Sequence, residues 1–110
     1  MKFFLTLALI LFSVIGKSQT IFSVKYLSQA DLKVFVVKYE SQADLKVFKL
    51  QYNNSNEKNC GKWYFVKYAS QADKKIFFVN YASQADLKIF FVRYNSQAAW
   101  NNASKKHLMY

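Results

Sequence analysis

From Leu32 onward, short apolar runs framed by polar residues recur, and within each run alternate residues sort onto the two sides of an extended segment. Lys33, Phe35, Val37 and Tyr39 fall on one side, and Leu32, Val34, Val36 and Lys38 on the other. The pattern returns at Leu45, Lys74 and Leu87, and in a variant form at Lys62. Tyrosines at 26, 39, 52, 68, 81 and 94 mark it, at intervals of 13, 13, 16, 13 and 13 residues. A fixed short repeat with one three-residue insertion is the result. Val, Ile, Phe and Tyr dominate each segment and suit a pleated, half-buried surface. At a helical period Phe35, Val37 and Tyr39 would scatter around the cylinder. The pattern therefore predicts an all-β domain of six short strands.

The two sides differ between repeats. One reads Phe35, Val37, Tyr39; Phe48, Leu50, Tyr52; Tyr64, Val66, Tyr68; Phe77, Val79, Tyr81; and Phe90, Val92, Tyr94, each set preceded by a lysine. The opposite side tolerates Lys49 and Lys74. The uniform side is expected to line the core and the variable side to be partly exposed.

Between strands stands Ser-Gln-Ala-Asp, at Ser28–Asp31, Ser41–Asp44, Ser70–Asp73 and Ser83–Asp86. Two-residue hairpins favour Asn-Gly or Asp-Gly, but the chain has no proline, and beyond residue 18 its one glycine is Gly61. The tetrapeptide has capping-box spacing instead, so a single right-handed helical turn is expected. Ser28, Asp31, Ser41, Asp44, Ser70, Asp73, Ser83 and Asp86 are read as structural caps, the acids also pairing with Lys33, Lys46, Lys75 and Lys88. Degenerate corners near Ser18, Ser55 and Ser96 bring the number to seven, enclosing six strands. Corners this wide leave each strand free to pair with a partner distant in sequence.

The first residues, MKFFLTLALILFSVIGKS, place Lys2 before an apolar run of about 13 residues that ends in small and polar ones, the layout of a secretory signal peptide. The run is short of the roughly 20 residues of a membrane-spanning helix. Residues 1–18 are read as a leader, 19–98 as the repeat domain and 99–110 as a C-terminal tail. The protein is expected to be exported, periplasmic, cell-surface or extracellular, and not transmembrane after cleavage. Without Lys2 and Lys17, 14 of the 16 basic residues stand against 6 acids, a net charge of +8.

The unit SQADLK[VI]F(F/V)VKY, carried by Ser28 to Tyr39, Ser41 to Phe48, Ser70 to Tyr81 and Ser83 to Tyr94, resembles the signature of the bacterial septoil knot domain family, small exported proteins of unassigned function. The resemblance covers roughly Ser18 to Ala98. It implies an all-β fold whose backbone forms a seven-crossing torus knot, a chain wound twice around a ring with segments half the chain apart as neighbours. The residues alone point to a small unknotted β-barrel or solenoid. The insertion in the third repeat and Ala99, which replaces the corner acid, depart from the family pattern.

No residue set supports catalysis. His107, the only histidine, stands beyond the last repeat, and no nucleophile–base pair, metal-ligand cluster or phosphate loop accompanies it. No cofactor or metal is expected, since capping accounts for the corner acids better than a calcium ring. Alternating aromatics read as core rather than as a nucleic-acid surface, so no nucleic-acid partner is expected. A structural, non-enzymatic role fits best. An anionic envelope polymer or lipid head group is the partner that suits the charge. Exported fibre formation through segments such as KIFFVNY is a further alternative. Cys60, the lone cysteine, forms no internal disulfide and leaves open a dimer through that thiol.

Overall fold

The computed structural model describes residues 19–53 and 59–110. The leader and the corner at Ser55 lie outside the described residues. Seven strands form one sheet: β1 (Gln19–Ser23), β2 (Leu32–Val36), β3 (Leu45–Lys49), β4 (Lys62–Phe65), β5 (Lys74–Phe78), β6 (Leu87–Phe91) and β7 (Ala99–Trp100). The six expected repeat strands are β1 to β6; β7, a further strand of two residues, lies in the segment read as a tail.

Around the sheet the order is β4-β1-β5-β2-β6-β3-β7, and β3 also pairs with β4, which closes the ring. All pairings among β1 to β6 are parallel. Strands β1, β2 and β3 occupy alternate places and β5 and β6 fill the gaps between them, so the chain passes twice around the ring. Each strand divides its length between two neighbours. Ile21 pairs with both Phe65 and Lys74, and Val34 with both Phe78 and Leu87. The wide corners predict this distant pairing, and the ring realises it.

Inside the ring, each of the six parallel strands contributes one fully buried central side chain: Ile21, Val34, Val47, Trp63, Ile76 and Ile89. Leu32, Leu45 and Leu87 fill the next level toward the strands' N-terminal ends, with Met109 buried in the same cluster. The core therefore lies on the side that sequence variation marked as exposed. Tyr39, Tyr52, Tyr68, Tyr81 and Tyr94, expected in the core, are 64–70% exposed. Phe35, Phe48, Leu50, Tyr64, Val66, Phe77, Val79, Phe90 and Val92 are half-buried, and Val37 alone of that set is buried.

The physical reason for the inversion is the narrow bore. A small barrel has room for little more than its own inward side chains, and branched aliphatics fill it best. The outer face is half-covered by the returning corner turns, which are alike in each repeat and so demand alike residues beneath them. Lys49 and Lys74 are tolerated on the inner side because they stand at the last and first positions of their strands, at the barrel's ends.

Each described corner is a short 3₁₀ turn, at Leu27–Gln29, Glu40–Gln42, Ala69–Gln71, Ala82–Gln84 and Asn95–Gln97, preceded by an extended tyrosine. The single helical turn is as expected, but the caps are not. The turns at Ser28, Ser41, Ser70 and Ser83 have no side-chain cap, and the amide of Gln29 donates to the Tyr26 carbonyl instead. In the irregular connection before β4, Gly61 adopts φ 91°, and a Cβ there would lie 2.3 Å from the Lys46 carbonyl oxygen, so this position admits only glycine without displacement.

Replacing the central Ile76 by alanine is expected to lower stability by about 2–5 kcal/mol, whereas Tyr81→Ser changes it by roughly 0.5 kcal/mol or less. Denaturant midpoints at constant slope measure both, and the reverse ranking would place the core on the outer side.

Candidate functional site

Because the six long strands run parallel, one end of the barrel collects every residue that precedes a strand and the other every residue that follows one. The two ends differ in chemistry.

At the N-terminal end, the corner acids do not reach back to their own turns. Each accepts from the backbone of the second residue of a neighbouring strand, which returns a bond to the acid's own amide. Lys75 N donates to Asp31 Oδ2 at 2.9 Å, and Asp31 N to the Lys75 carbonyl at 2.7 Å. The equivalent pairs are Asp44 with Lys88 (2.9 and 2.7 Å), Asp86 with Lys33 (2.9 and 2.8 Å) and Asp73 with Thr20 (3.0 and 2.9 Å). Partners are 44 or 53 residues apart, and each pair joins one circuit of the chain to the other. Capping by Asp31, Asp44, Asp73 and Asp86 thus acts between strands, not within the corner. The expected pairing of Asp31 and Asp86 with the ammonium groups two residues along is replaced by these backbone bonds. Lys46 pairs instead with Glu40 at 3.4 Å.

The C-terminal segment closes this end. Asn101 and Asn102 both donate backbone N–H groups to the Asp44 carbonyl, and Lys105 Nζ meets Asp44 Oδ2 at 3.2 Å. The side-chain amides of Gln19 and Asn59 donate to the carbonyls of Met109 and Lys106. Trp100 and Leu108 pack against the core cluster. Residues 99–110 are thus docked, and His107 is exposed with Nδ1 2.9 Å from the Ser104 carbonyl. Cys60 is a half-buried free thiol beside Gly61.

At the opposite end, the last inward positions in ring order are Phe65, Ser23, Phe78, Val36, Phe91 and Lys49. The three phenylalanines are half-buried and Val36 is 40% exposed, so the barrel ends in an apolar floor. The Lys49 ammonium stands over two of the rings, 4.7 Å from the centroid of Phe91 and 5.4 Å from that of Phe65. Beyond the floor, each strand is followed by a polar residue and a tyrosine: Lys25-Tyr26, Lys38-Tyr39, Gln51-Tyr52, Lys67-Tyr68, Asn80-Tyr81 and Arg93-Tyr94. All twelve side chains are exposed. Lys25, Lys38, Lys67 and Arg93 meet no carboxylate among the described residues. No acid stands among the three residues that follow each of these strands; Glu40, the next residue along in one corner, is engaged with Lys46.

Sequence reasoning did not assemble this cationic end. A signal was present in the basic residue that precedes four of the six repeat tyrosines, but only parallel strands bring those residues to one circumference. No described helix is long and apolar enough to cross a membrane.

The family profile described as the 7(1) septoil knot domain matches residues 18–101 of this chain. No curated protein matches it.

Burial alone would raise the Asp44 carboxyl, but bonds from the Lys88 amide, Asn102 and Lys105, with the charge of Lys105, hold it below its ordinary value of 3.8. A group depressed in the folded state stabilises the fold above its unfolded value and loses that contribution as pH falls through the folded one. Stability is therefore expected to fall below about pH 4 more steeply in the native chain than in Asp44→Asn, followed by denaturant midpoints across acid pH. Parallel curves for the two would contradict the network.

Proposed function

Given that this chain belongs to the 7(1) septoil knot domain family, we propose that it is a non-enzymatic structural module acting outside the cytoplasm, whose double winding keeps it folded there. The observation that carries this reading is the ring order, in which neighbours come from opposite circuits and the four acid clasps join segments 44 or 53 residues apart. That order is what a threaded, seven-crossing path requires. Unfolding such a path breaks non-local contacts throughout and then draws a terminus through the ring, which puts the barrier on the unfolding side. Export rests on the leader-like residues 1–18.

A second reading, a binding module for an anionic envelope component, is favoured by the grouping of cations at the C-terminal end of the barrel. Lys25, Lys38, Lys67 and Arg93, which meet no carboxylate among the described residues, share that end with Lys49, whereas the lysines of the other end stand among the four corner aspartates. An end that collects cations without aspartates beside them attracts an anionic partner.

The structural reading predicts an unfolding rate, extrapolated to water, below the roughly 10⁻⁶ s⁻¹ that bounds ordinary small domains. Rates within the ordinary range would contradict it.

A further inference from the structure

We propose that the C-terminal end of the barrel is a docking face for an anionic lipid bilayer, a proposal that rests on the anionic-component reading above and names the partner. Three chemistries are arranged there from the axis outward. Phe65, Phe78, Phe91 and Val36 form the apolar floor. Lys25, Lys38, Lys67 and Arg93 follow the strands as exposed cations. Six tyrosines in one repeat position, each 64–70% exposed, complete the rim.

A hydrated polyanion calls for the cations alone; the tyrosines and the apolar floor would gain nothing from it. A bilayer surface engages all three. Anionic head groups attract lysine and arginine, and tyrosine, with an apolar ring and a polar tip, concentrates at the boundary between head groups and acyl chains. The strand ends lie around one circumference, so a flat partner meets every repeat together. Individually weak contacts then add. The opposite end, with its four aspartates and docked C-terminal segment, faces away from the surface.

The test uses residues 19–110, which hold every described strand and the whole buried core. Its probes are phosphatidylcholine vesicles with and without phosphatidylglycerol, and soluble polyphosphate, at physiological salt. Two variants are compared with the native chain: Lys25→Gln with Lys38→Gln, Lys67→Gln and Arg93→Gln, and Tyr26→Ser with Tyr39→Ser and Tyr81→Ser. All seven positions are exposed, so unchanged melting curves confirm that the variants fold. The native chain is expected to sediment with phosphatidylglycerol vesicles and not with phosphatidylcholine alone. At about fivefold per cation, the charge variant weakens that binding by roughly 10²- to 10³-fold. The tyrosine variant weakens it by roughly tenfold, on a few tens of Å² of apolar surface per ring, and leaves polyphosphate binding unchanged. Polyphosphate binding without vesicle binding, or vesicle binding indifferent to the tyrosines, overturns the lipid assignment and leaves the anionic reading standing. Binding to neither probe overturns both.

Discussion

The structure depends on one interaction made four times: a corner carboxylate that accepts the amide of a strand in the other circuit while its own amide donates back. Hydrogen bonds to an ionised acceptor contribute roughly 1.5–3 kcal/mol each, and an orphaned donor costs a similar amount. Without the second circuit, β1, β2 and β3 would stand at alternate places around an open ring, with unpaired edges on both sides. Neither circuit satisfies its own backbone. The repeat is therefore not a stack of self-sufficient units, and its short period serves a closed figure in which each new strand fills a gap left by an earlier one.

Parallel closure has a second consequence. Thirteen residues carry the chain along a strand inside the ring and back along a corner outside it, so every repeat returns to the same phase. Any residue type at a fixed repeat position is then displayed around one circumference. Aspartate before the strand becomes a ring of clasps, and Lys-Tyr after it becomes a cationic, aromatic rim. Repetition alone thus gives the barrel two chemically distinct ends, one closed by the chain's own C-terminal segment and the other by an apolar floor with a cationic, aromatic rim.

Strand positions, corner turns and the preference for distant partners were legible in the alternation around Phe35, Phe48, Phe77 and Phe90 and in the absence of Gly or Pro at Ser28–Asp31 and its counterparts. The inward face was not. Uniformity among repeats reads as a mark of the core, whereas Tyr39 and its equivalents are uniform because each occupies the same outer corner. Lys49 and Lys74 looked like exposure of a whole face, yet each sits at a strand terminus where the barrel opens. The targets of Asp31, Asp44, Asp73 and Asp86 were illegible for a different reason: capping spacing is a local signal, and the amides these acids satisfy lie on strands half the chain away. Ala99-Trp100 carries no strand signal in the sequence because two residues hold no alternation.

Amide hydrogen exchange at Thr20, Lys33, Lys75 and Lys88 tests the clasp most directly. Those four N–H groups precede the barrel's central layer, and each donates to one of the four carboxylates from the opposite circuit. The account predicts that they exchange only through global opening, as slowly as the amides of Val34 and Ile76 at the centre. Exchange at the pace of exposed corner amides such as Ser28 would contradict it, for the two circuits would then be held together by something else.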